Sequence, residues 1–203
     1  MRINRFLIPL LALALTGCGY NRIQTLDEQI NGFESQIKVQ LQRRNDLVPN
    51  LVETVKGYAQ QEQTIFLGVA EARSRLGSAI QSGDLSQMAT ANQGLTGALS
   101  RLIAVAENYP QLKSNDNFKA LQDQLEGTEN RIATARQDYN GAVQTYNSYI
   151  RQFPVVLTAK VIGKHARGYF ELANAAAAEV PRVNFGAPAA PASPAAPGAA
   201  KRP

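Results

Sequence analysis

The sequence predicts an all-α protein: an antiparallel up-and-down helical bundle of about four long helices, followed by a C-terminal amphipathic helix. Three observations lead there. Apolar residues recur at three- and four-residue steps through most of the span from 26 to 175, the period of one helix face. Val and Ile never cluster in alternating runs, and Trp is absent. Helix-breaking residues leave only short connections, which set consecutive helices antiparallel. A chain of 203 residues allows one domain with a real core plus accessory ends.

Residues 1–17 read as a lipoprotein signal peptide and are set apart from the fold. Arg2 and Arg5 make a positive start, and Phe6 to Leu15 is an apolar run interrupted by Pro9. As a helix that run reaches only ~15 Å, against ~30 Å of bilayer hydrocarbon, so a cleaved leader is expected rather than a spanning helix. The run closes on Leu15, Thr16, Gly17 and Cys18, which resembles a lipobox. Small residues let the chain enter a peptidase extended, and the Cys18 thiol becomes a lipid thioether. Cys18 is the single cysteine, so no internal disulfide forms. Two or three acyl chains on it give stable anchoring where one is marginal. Gly19, in place of Asp, resembles lipoproteins sent on to an outer membrane. Loss of Arg2 and Arg5 lowers the net charge from +5 to +3, enough to lean on anionic head groups or wall polymers. The charges are too dispersed for nucleic acid, and no basic–aromatic patch is present.

Residues 18–25 are expected to be the lipidated Cys18 and a short spacer. Leu26, Ile30, Phe33, Ile37 and Leu41 then form a helical stripe. It continues through Val48, Leu51, Val55 and Tyr58, toward a helix end at Lys56 and Gly57. The step between Leu41 and Val48 falls on Arg44 and Asn45, two polar residues on an apolar face. Pro49 has no N–H for the Asn45 carbonyl, which must find another partner. A long helix kinked at Pro49 is expected, with a hairpin there as the alternative. The coincidence of an interior proline and misplaced polar groups fits either of two readings: a satisfied polar cluster that fixes helix docking, or a hairpin or surface kink with Arg43 and Arg44 in water. The candidates for the cluster are Arg43, Arg44, Asn45, Asp46, Pro49, Asn50, Glu129, Arg136 and Asn140.

A second stripe runs Ile65, Val69, Ala72, Leu76 and Ile80. Asp84 is placed to cap a third helix marked by Leu85, Met88, Leu95, Leu99 and Leu102, with polar Asn92 in the stripe. Gly94 and Gly97 are expected to permit close helix approach. That helix stops at Asn108-Tyr109-Pro110. The fourth starts near Ser114 or Asn115 and holds its rhythm from Phe118 to Phe153, with Tyr139, Tyr146 and Tyr149 read as core. The lengths run long, short, short, long, closing one bundle. After Pro154, an amphipathic helix sets Val155, Ala159, Ile162, Ala166, Tyr169 and Ala173 against Lys160, Lys164, Arg167 and Glu171. Its apolar face is expected on the bundle, with an anionic membrane surface as the alternative. Residues 181–203, rich in Ala and Pro, cannot build a core and read as a disordered, semi-stiff tail.

The run LQRRNDLVPNLVETVKGYAQQE is similar to the signature block of the LemA family of bacterial envelope proteins. Further matches follow in order: Glu71-Ala72-Arg73, Asn108 to Asn115, Phe118, Leu121, Glu129 to Ile132, Arg136, Tyr139-Asn140 and Tyr146-Asn147. The resemblance spans roughly Tyr20 to Phe170. It implies a helical bundle anchored to a membrane and no particular chemistry.

The residues carry no catalytic constellation either. His165 is alone, expected at the surface; there is no Cys–His pair, metal-ligand spacing or Gly-rich phosphate loop. Asp27-Glu28 and the other carboxylates sit in exposed-looking phases. No enzyme and no cofactor is expected, beyond the covalent lipid on Cys18. The function expected is that of a lipid-anchored scaffold or adaptor in the cell envelope, with an unidentified envelope protein as partner and cell-wall contact through the tail. The alternatives are a carrier for a lipid or apolar ligand between helices, or a wall-associated spacer.

Overall fold

The computed structural model describes residues 19–171. The leader, Leu15, Thr16, Gly17, Cys18, Ala173 and the 181–203 tail lie outside the described residues. Among those described, six helices and no strands occur: α1 Tyr20–Lys56, α2 Gln63–Ser82, α3 Leu85–Ala106, α4 Pro110–Ser114, α5 Asp116–Tyr149 and α6 Val155–Val161. None is long and apolar enough to cross a membrane.

Helix α1 starts at Tyr20, so the expected spacer is helical. Ile23 and Leu26 are buried, and that burial favours continuing the helix back to Gly19. Gly19 sits at φ +102, a left-handed conformation that glycine adopts without strain. A Cβ there would also lie 3.0 Å from Val155 and 3.1 Å from the Tyr149 hydroxyl. Pro49 lies inside α1, which runs on to Lys56, so no hairpin forms there.

Buried residues of α1 (Ile30, Ile37, Leu41, Val48, Leu51, Val55) and of α5 (Phe118, Leu125, Ile132, Tyr139, Val143, Tyr146) repeat at three, four and seven residues. That is a coiled-coil seam. Arg44 meets Glu129, and Tyr58 receives a hydrogen bond from Asn115 at 3.0 Å. The same number of residues separates Arg44 from Tyr58 and Asn115 from Glu129, as antiparallel helices in strict register require.

Helices α2 and α3 form a tight hairpin. Gly83, at φ +73, ends α2, and the Asp84 carboxylate accepts from Ser86 N (2.8 Å) and Gln87 N (3.1 Å) to cap α3. With 20 and 22 residues against 37 and 34, the hairpin covers only about half of the α1–α5 pair, at ~1.5 Å of rise per residue. The four-helix cross-section is thus confined to the half containing the C-terminal part of α1. At Gly94 and Gly97 an added Cβ would meet nothing within 4 Å, so these glycines do not mediate close packing. The expected break after Tyr109 contains α4, whose Leu112 is fully buried. Asn115 accepts from Phe118 N at 3.0 Å and caps α5.

The other half of the pair is closed differently. Helix α5 ends at Tyr149, short of Phe153, which is 82% exposed rather than core. Helix α6 has two turns only. Gly163 takes φ +69, its N–H reaches the Lys160 carbonyl at 3.2 Å, and Lys164 N–H reaches Ala159 at 2.9 Å. That Schellman pattern stops the helix. The expected amphipathic helix to about 175 is therefore replaced, beyond Ile162, by an extended strap over residues 164–171, with Ala166 and Tyr169 exposed.

Candidate functional site

Two polar clusters hold the parts together, one at each half of the α1–α5 pair. In the four-helix half, Arg44 is buried in the α1 stripe. Its Nη1 donates to Asn92 Oδ1 of α3 at 2.7 Å and pairs with the Glu129 carboxylate of α5. One side chain therefore ties three helices. Burial pushes the guanidinium pKa down and Glu129 pushes it back up; an arginine stays charged under either influence. Arg44 Nε and Asn45 Oδ1 are buried without hydrogen-bond partners. A buried charge left partly unsatisfied adds little net stability, although removing one of its partners is costly.

Asn45 completes this layer through its backbone. Arg73 Nε of α2 donates to the Asn45 carbonyl at 3.3 Å, the partner that Pro49 fails to supply. The other candidates fall elsewhere. Arg43, Asp46 and Asn50 are exposed, Asp46 accepting only from Gln42 at 2.8 Å, and Pro49 is partly buried. Their phase on α1 points them away from the hairpin. Arg136 and Asn140 lie on α5 beyond Glu129, out of reach of Arg44, and belong to the second cluster.

That second cluster binds the strap. Asn140 Oδ1 accepts from Phe170 N at 2.8 Å while its Nδ2 donates to Phe170 O at 3.2 Å. Asn147 does the same to Arg167, at 2.8 and 2.9 Å. Each side-chain amide thus imitates a neighbouring strand. The spacing follows from geometry: seven helical residues rise ~10.5 Å, and three extended residues span about as much. Tyr139 donates its hydroxyl proton to Gly168 O at 3.0 Å, and the Arg136 guanidinium lies 5.0 Å from the centre of the Phe170 ring.

On the α1 side, Asp27 is buried, against the exposed phase expected for it. It accepts from Lys164 Nζ at 2.6 Å and from Arg167 Nε and Nη2 at 3.1 and 2.9 Å; Arg167 also reaches Asn31 at 2.8 Å. Burial alone raises the Asp27 pKa, but these bonds and charges outweigh it and hold the carboxyl below its usual range. Burial also raises Tyr139 and Tyr146, keeping both phenols protonated. The sequence did carry a signal for Asp27: it stands between Ile23 and Ile30 at the four-and-three steps of the stripe. Asn147 stood beside Tyr146 in the LemA-like pattern but with no role attached, and Asn31 carried no signal. The pairing of Lys164 and Arg167 carried none, because an extended strap has no helical phase.

Both clusters join elements, and the Arg44–Glu129 pair also borders a small open groove of about 190 Å³ with Thr96, Leu99 and Leu125. His165 is exposed, and among the described residues no three of His, Cys, Asp and Glu are grouped to hold a metal ion.

The LemA family model matches residues 33–185. The magnetosome proteins MamQ 1 and MamQ 2 of Paramagnetospirillum magneticum are each 33% identical over 175 residues, covering 75% of this chain and 64% of theirs. The magnetosome protein MamQ of Magnetospirillum gryphiswaldense is 30% identical over 174 residues, covering 74% and 64%. This chain spans less than two thirds of the length of these relatives.

Proposed function

The chain belongs to the LemA family, and from that premise we propose that it is a non-enzymatic envelope protein, tethered by lipid at Cys18, whose stiff helical body serves as scaffold or adaptor. The observation that carries this reading is the start of α1 at Tyr20, directly after Gly19. A lipid on the preceding cysteine then attaches to the rod itself, with no slack between membrane and body. Two further observations agree: the polar clusters do structural work, and the family membership and the magnetosome relatives support a membrane-associated role.

The anchor leaves the α2–α3 hairpin as the free end. Its outer face carries an open groove of about 650 Å³, lined by small residues such as Gly68, Ala72, Gly94 and Ala98 between Arg75 and Arg101. This is the face offered to an envelope protein partner. Cell-wall contact is assigned to the Ala/Pro-rich sequence beyond residue 181, and Gly19 favours the outer membrane of a two-membrane cell. Fractionation of a Cys18→Ala variant tests the tether: it moves to the soluble fraction, whereas a variant still tightly membrane-bound and fully functional contradicts the reading.

A further inference from the structure

We infer that the end of the rod next to Gly19 is itself a bilayer-docking surface, formed by a second apolar face of α6. The inference rests on the membrane tether proposed above and adds a contact made by the folded body.

Helix α6 is apolar on two sides. Val155 and Ala159 face the bundle and are buried. At the intervening positions, Phe153, Leu157 and Val161 recur every four residues and are 82%, 56% and 86% exposed. With Tyr20 and Ile162 they line one apolar cavity of about 370 Å³, open at its mouth. Side chains of this size are normally exposed singly, so an adjoining row of them marks an interaction surface.

Position identifies the occupant. Gly19 packs against Val155 and Tyr149, so the chain leaves the fold toward Cys18 at the corner between α5 and α6, beside Tyr20. Anything that holds residue 18 at a membrane brings this face to the same membrane. Charge agrees: Arg151 and Lys160 flank the row and are exposed, as is Arg22 near the start of α1. Asp27, the buried carboxylate of this end, is already neutralised by Lys164 and Arg167. Apolar side chains entering the interface, with cations at the head-group level, are the pattern of an interfacial anchor. The structure also explains Gly19: its φ of +102 strains any other residue, and an added Cβ would need Val155 and the Tyr149 hydroxyl to give by a few tenths of an ångström.

The test uses the full chain reconstituted in phosphatidylethanolamine/phosphatidylglycerol vesicles with brominated acyl chains. Leu157→Cys and Val161→Cys carry a thiol-reactive fluorophore, with Leu67→Cys, exposed on α2, as the distal comparison. Quenching at 157 and 161 with none at 67 is expected. Fluorescence at 157 and 161 as unquenched as at 67 overturns the inference, as does efficient disulfide crosslinking between two Leu157→Cys chains, which would make a second copy the occupant. The unsubstituted chain separates the two claims, because its single thiol is blocked if Cys18 is lipidated. Labelling of that chain defeats the tether alone. The docking face then stands if 157 and 161, labelled on a Cys18→Ser background, are still quenched on added vesicles and falls if they are not.

Discussion

The Arg73 guanidinium donates to the backbone carbonyl of Asn45 across 3.3 Å, and that carbonyl is the one Pro49 deprives of its helical partner. The proline therefore opens a docking point on α1 for α2 rather than ending the helix. Arg73→Ala should cost about 0.5–1.5 kcal/mol, the net value of an ordinary hydrogen bond, because Arg73 itself is exposed. On a Pro49→Ala background, where residue 49 supplies the missing N–H, the same change should cost a few tenths of that. Chemical denaturation of the four proteins in the cycle measures the coupling; equal costs on both backgrounds would remove the link between the two residues.

Arg44 is the second test of the same layer. Arg44→Ala leaves Asn92 Oδ1 buried without its donor and should lower stability by about 3 kcal/mol. Replacing both groups, Arg44→Met with Asn92→Leu, should restore most of this, since Glu129 is half-exposed and can turn to water. Thermal melts of both variants decide it: an unchanged melting point for Arg44→Ala places that arginine outside the docking layer.

The helices and the Arg44 layer were legible because both depend on one periodicity. The skipped step at Arg44 and Asn45 and the unsupplied carbonyl before Pro49 announced a polar contact, and Asn92 was visible as a polar break in the α3 stripe. The partners were less legible. Glu129 sits in the right register opposite Arg44, but Arg136 and Asn140 are equally polar and serve the strap instead. The C-terminal segment misled for a physical reason: Val155, Ala159 and Ile162 are helical in phase, and a periodic reading carries that phase past Gly163. Glycine at positive φ stops the helix there, and the contacts that follow are backbone-to-amide bonds that periodicity does not encode.

The strap makes a prediction about local opening. Asn147→Ala and Asn140→Ala remove the acceptors for the Arg167 and Phe170 amides. Hydrogen exchange at those two amides should accelerate strongly, while amides in α2 and α3 keep their protection. Asn147→Asp should act in between, retaining an acceptor while losing the donor to Arg167 O. Uniform acceleration throughout the chain would show that the strap has no independent opening.

Asp27 gives the strap a pH dependence whose sign follows from its lowered pKa. The unfolded chain binds a proton near the ordinary value of 3.8 that the folded chain still refuses, so stability rises with pH in that window. The contribution is complete above about pH 4–5 and is lost as pH falls through the folded value. Asp27→Asn should flatten this acid limb and cost about 1–2 kcal/mol at neutral pH, modest because Lys164 and Arg167 are roughly a third exposed. Unfolding curves between pH 3 and 7 check both, and a variant with the same acid limb as the parent would assign that limb to another carboxylate.

Lipid attachment at Cys18 is the proposed link between the helical body and a membrane, and the intact mass of the chain extracted from cell membranes tests it most directly. A polypeptide beginning at Cys18 and carrying a diacylglyceryl thioether is the predicted result. A mass equal to the unmodified chain with residues 1–17 still attached would contradict it.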